Sequence, residues 1–186
     1  MDIAGVLTSL ESSHLAETIR NSLLLFPLIE SFHVIGLTMV FGTIAIIDLR
    51  LLGIASTRRP FTRIASDLLK WTWAAFGLTA TTGVLMFITN AGVYYHNFYF
   101  RSKMTLLVLA GINMAIFELT AGRSVRQWDK DPRPPASART VAALSLLLWI
   151  TIIFLGRWIG FTTTQTDLKT DPDINIEGLL PPSVPR

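Results

Sequence analysis

Leu23-Leu24-Leu25-Phe26-Pro27-Leu28-Ile29-Glu30-Ser31-Phe32-His33-Val34-Ile35-Gly36-Leu37 opens an apolar run that continues to Ile47. A run of this length crosses the ~30 Å hydrocarbon core of a bilayer. It nevertheless carries a carboxylate and an imidazole. Ionisable groups at such depth are costly unless they are paired or put to use. The stretch therefore sets the fold class, a membrane span, and marks Glu30 and His33 as the first candidate site.

Outward from this run, the pattern repeats. The chain has 186 residues, 51% hydrophobic and 16% charged, where a soluble domain carries about a quarter charged residues. The charge is missing from four blocks, near 22–52, 71–93, 103–119 and 140–161. These are read as four spans of an all-α integral membrane four-helix bundle. Residues 1–20 form a separate unit. Ile3, Val6, Leu7 and Leu10 follow helical spacing, which predicts an amphipathic helix on the membrane surface or capping the bundle. Residues 21–162 form the membrane domain, and 163–186 an extended, acidic, proline-containing tail. Met1-Asp2-Ile3-Ala4 lacks the basic region and cleavage site of a signal peptide, so the first span is expected to insert as its own signal.

Local signals set the boundaries. Pro27 sits in the first turns of span 1, Asp48 and Arg50 mark its far end, and Gly53 is read as the stop. Thr62 is expected to cap the next helix, with 63–70 as an interfacial lead-in. Residues 94–103 read as a compact aromatic loop, and 120–138 as a polar loop.

The basic residues orient the bundle. Arg50, Arg58, Arg59, Arg63 and Lys70 surround the first connection, and Arg123, Arg126, Lys130, Arg133 and Arg139 the third. Those ten of sixteen Lys and Arg place both connections in the cytoplasm, with both termini and the second connection outside. In a bacterium this is the inner membrane, with the tail in the periplasm. The same distribution explains the net charge of +3 without nucleic acid.

Composition excludes several chemistries. There is no cysteine, hence no disulfide, thiolate metal site, iron–sulfur cluster or C-x-x-C-H haem attachment. No G-x-S-x-G, Walker A or H-E-x-x-H motif occurs. What remains is the polar content of the outer half. His33 lies about 16 Å along span 1 at 1.5 Å per residue, with Glu30 one turn outward on a similar face. Lys103 opens span 3, Arg157 nears the outer end of span 4, and His96 lies in the loop above. A neutral imidazole in such a bundle can ligate haem iron or partner a quinone headgroup. Gly36 would admit a flat ring, and Lys103 or Arg157 would meet anionic groups. Met86 or His96 would supply a second axial ligand. The plain alternative is that Glu30 and His33 form a hydrogen-bonded pair tying helices together.

His33-x-x-Gly36-Leu37, then Phe41-Gly42 and Asp48-Leu49-Arg50-Leu51-Leu52-Gly53, with Tyr95, Phe100-x-x-Lys103 and Asn113 further on, resemble a family of small uncharacterised bacterial inner-membrane proteins. The resemblance covers roughly residues 22–120. An early-span histidine and a lysine opening a later span, His33 and Lys103, are more loosely similar to two other groups. These are the haem-binding membrane protoporphyrinogen oxidases and the copper-resistance D type, and the resemblance implies haem b. The expected function is a haem-b-binding or quinone-interacting electron-transfer subunit. Two alternatives stand beside it: a non-catalytic anchor whose tail docks on a membrane or periplasmic protein, and a copper-handling protein using His14, His33 and His96.

Overall fold

The structure, a computed structural model, describes residues 2–170, with side chains through Thr162. The elements are α1 (Ile3–Glu11), α2 (His14–Asn21), α3 (Leu25–Leu51), α4 (Phe61–Thr89), α5 (Ala91–His96), α6 (Phe98–Leu119), α7 (Val125–Trp128) and α8 (Ala136–Thr170). No strand occurs among the described residues. Four helices are long and apolar enough to cross a membrane. The chain is an all-α four-helix membrane bundle, and a multi-pass membrane protein.

The four long helices alternate in direction. α3 packs along α4, α6 packs along α8, and α3 against α8 joins the two hairpins. The interior is thin. Val40, Ala75, Trp149 and Ile152 form one buried cluster, and Leu51, Phe61, Ala121, Trp128, Ala138 and Ala142 another near the basic loops. Most apolar surface points outward instead. Val84, Val108, Leu147 and Phe154 are each at least 60% exposed, as expected where lipid tails replace a protein core.

α3 and α4 approach closely because Gly36 is small. A Cβ there would come within 2.5 Å of the Thr79 hydroxyl and 3.3 Å of the Ala75 carbonyl. Thr43 and Thr72 join the same pair of helices lower down, hydroxyl to hydroxyl at 2.8 Å.

The basic-loop end is locked by Arg50. The side chain is fully buried. Its Nε donates to the Arg59 carbonyl at 3.0 Å, and Nη2 to those of Asp129 and Asp131 at 3.1 and 3.2 Å. One guanidinium thus binds both basic loops through backbone carbonyls, those of Asp129 and Asp131 lying just past the C-terminus of α7. Gly53 turns with φ +74°, and a Cβ there would sit 3.0 Å from the Pro132 carbonyl. Asp129 completes the end by accepting from the Thr62 backbone N–H and hydroxyl.

Several boundaries differ from expectation. α4 starts at Phe61, so the expected lead-in is part of one continuous helix, and Pro60 occupies the N-cap position. Asp129 from another loop does the capping expected of Thr62. The aromatic loop is mostly helical, because Asn97 accepts from the Tyr99 and Phe100 N–H groups and starts α6 early. The N-terminal amphipathic segment is two helices, since Ser13 caps α2 by accepting from Ala16 N–H. α8 runs through 163–170, which the sequence assigns to the extended tail; no proline or glycine intervenes before Pro172. Residues 171–186, and with them the proposed tail docking, lie outside the described residues.

Candidate functional site

α1 and α2 cover the end of the bundle opposite the basic loops. The Glu11 carboxylate accepts from Gly92 N–H at 2.7 Å. Arg20 donates to the Thr89 carbonyl at 3.1 Å and to the Glu11 carbonyl at 2.8 Å. These contacts pack the segment onto the ends of α4 and α5. Ile3, Val6 and Leu15 remain exposed, an apolar fringe suited to an interface. Beneath it Phe87 of α4 stacks on Phe100 of α6 at 5.4 Å, with Tyr94 of α5 packed against both.

His33 lies below this lid, half-buried between α3 and α4. Its Nδ1 is 3.0 Å from the Thr79 carbonyl and 3.1 Å from the Thr82 hydroxyl. A carbonyl only accepts, so Nδ1 carries the proton. The Thr82 hydroxyl donates its own hydrogen to the Leu78 carbonyl at 2.8 Å and receives the imidazole N–H on a lone pair. In the neutral ring, Nε2 then holds a lone pair. The ring lies over Gly83, where a Cβ would stand 3.1 Å from Cε1. α4 therefore provides a tailored seat: a carbonyl, a hydroxyl and a missing side chain at 79, 82 and 83. The sequence shows a hydroxyl-rich span 2. The spacing of those three residues on one helical face is the signal that identifies them as the partners of His33.

Lys103 enters the same region from α6. Its amine reaches the backbone of α8, 3.5 Å from where a Cβ of Gly156 would be. Its charge lies within electrostatic range of His33. Neither the amine nor His33 Nε2 has a hydrogen-bond partner among the described residues. Lys103 thus runs into the bundle rather than out to its rim, because Gly156 leaves a channel beside α8. Met86 is half-buried on the Thr82–Gly83 face of α4, one turn nearer the lid.

The other expected members stand elsewhere. Glu30 is exposed and makes no hydrogen bond to His33, whose hydrogen-bond partners are Thr79 and Thr82. Arg157 is exposed, with its guanidinium over the Phe161 ring at 4.8 Å. His96 is exposed, donates Nδ1–H to the Gly92 carbonyl at 2.9 Å, and stays on the surface of α5. Gly36 is filled by α4, so it offers no face to a flat ring. Among the described residues no group of three or more His, Cys, Asp or Glu gathers as a metal site, which leaves copper ligation by His14, His33 and His96 without a cluster.

The arrangement defines a class: a four-span membrane protein with an acceptor imidazole and a half-buried lysine amine at the end of the bundle away from the basic loops. Residues 22–162 match a family of unknown function (DUF6644), and the chain belongs to that family. No curated protein and no solved structure matches it.

Proposed function

We propose that the protein is a quinone-interacting membrane subunit of an electron-transfer complex, binding the headgroup between His33 and Lys103. One observation carries this reading. The seat on Thr79, Thr82 and Gly83 fixes Nδ1–H inward and leaves Nε2 as an acceptor, while Lys103 brings an unpaired ammonium to the same region. A quinol hydroxyl donates to Nε2. The ammonium donates to the second ring oxygen and favours it as the anion of a singly deprotonated quinol. The ligand reaches the site from the bilayer, which suits a lipid-soluble ring better than a polar substrate. In this reading the membrane is a bacterial inner membrane, and the basic loops support an orientation with the His33 end outward. Photolabelling with an azidoquinone tests the reading. Label is expected on α3, α4 and α6 around His33 and is lost on competition with unlabelled quinol; label spread evenly over lipid-facing residues overturns it.

Haem b remains a second reading on a specific ground. A Nδ1–H bonded to a backbone carbonyl is the arrangement that orients an axial histidine. The rest of the set fits poorly: Gly36 is filled by α4, Gly83 by the His33 ring itself, and Arg157 and His96 lie at the surface. Met86 alone is placed on the same face. This reading requires a Soret band in the purified protein that His33→Ala removes.

A further inference from the structure

A second polar cluster lies toward the basic-loop end, away from His33. Asp48 on α3 and Asn113 on α6 are each 5% exposed. Both meet α8 within one turn. Asn113 Nδ2 donates to the Val141 carbonyl at 3.1 Å, and the Ser145 hydroxyl lies near the Asp48 carboxylate. The second oxygens, Asp48 Oδ2 and Asn113 Oδ1, have no hydrogen-bond partner. Two buried acceptors, one of them on an anionic group, are thus left at the same turn.

The helices packed against them, α4, α6 and α8, offer no buried counter-charge. α6 has no ionisable residue between Lys103 and Glu118, and α8 none between Arg139 and Arg157. On α4, Asp67 and Lys70 are both exposed. Arg50 sits two residues from Asp48, about 200° round the helix and so on the opposite face, with Nε and Nη2 on the loop carbonyls and Nη1 buried without a hydrogen-bond partner. The two orphaned oxygens cannot bond one another while Asp48 is ionised, since both only accept. A water donating to both satisfies their lone pairs but leaves a charge in a medium where bare charges are costly. A positive species meets both needs.

We propose that Asp48, Asn113 and Ser145 bind one small monovalent cation, either a proton carried with water or an alkali-metal ion, between α3, α6 and α8. The site is independent of the quinone reading and stands if that reading fails.

The test is thermal unfolding of the full chain in nanodiscs, at constant ionic strength. Wild type is measured in choline, sodium and potassium chloride at fixed pH, and then across pH 5 to 9 in choline. The wild-type melting temperature is expected to rise with sodium or potassium, which assigns an alkali ion, or only with acid, which assigns a proton. Asp48→Asn, isosteric and neutral, should lose the dependence. Asn113→Ala should shift its midpoint by roughly tenfold in cation concentration, the equivalent of one hydrogen bond to a charged group, and keeps the test open should Asp48→Asn not fold. A wild type indifferent to all three, or variants that respond as wild type does, overturns the proposal.

Discussion

Thr79 holds two residues of α3 at once: its hydroxyl fills the space beside Gly36, and its carbonyl takes the Nδ1 hydrogen bond of His33. The closeness of α3 and α4 and the orientation of the imidazole are therefore one structural fact. Gly36→Ala places a Cβ where Thr79 now sits and forces the helices apart. A loss of about 1–3 kcal/mol is expected for such overpacking, measured by thermal unfolding in detergent. Thr79→Ala in the same chain should restore part of it, because the clash is with the side chain.

The seat of His33 gives a milder test. Thr82→Val keeps the shape of the side chain but removes the oxygen shared with Nδ1. Binding of a quinol analogue should weaken several-fold, by the ~1 kcal/mol of one hydrogen bond, while the melting temperature changes little. Isothermal titration beside a melting curve separates the two effects.

Arg50 should be intolerant of change. Arg50→Leu removes the donor to three carbonyls in two loops, and a cost of about 3 kcal/mol or more is expected from the stranded carbonyls. Arg50→Lys should recover little. A single ammonium lacks the planar fork that reaches Arg59 on one side and Asp129 and Asp131 on the other. Limited proteolysis of residues 120–135 reads the outcome, with both variants cut faster than wild type.

Gly53 is the other fixed point of that end. Gly53→Ala meets a left-handed backbone and the Pro132 carbonyl together. About 1–2 kcal/mol is expected from the backbone alone, again by thermal unfolding.

Hydropathy alone made the four spans legible, because a lipid-facing helix writes its apolar character on every side. Basic residues likewise showed which connections share a face. Side-chain direction was harder to read. Glu30 stands one turn from His33, and spacing alone pairs them; the side chain is exposed instead, and α4 supplies the partners. Asp48 and Arg50 read as the charged end of a span. The Arg50 guanidinium is held in part by Asp129 and Asp131, about 80 residues on, and Asp48 lies against α8, neither of which a local pattern encodes. Lys103 stood out in the sequence as the cation that opens span 3; the glycine it reaches, Gly156, lies on a different helix.

The most direct test of the central claim is equilibrium binding of a short-chain quinol to wild type, His33→Leu, Lys103→Met and the double variant, each checked for unchanged melting. If one headgroup bridges Nε2 and the ammonium, each single variant should bind roughly tenfold more weakly or worse. The double variant should lose less than the sum of the two, because the contacts act on one ligand. Equal affinity in all four proteins would contradict a site between His33 and Lys103.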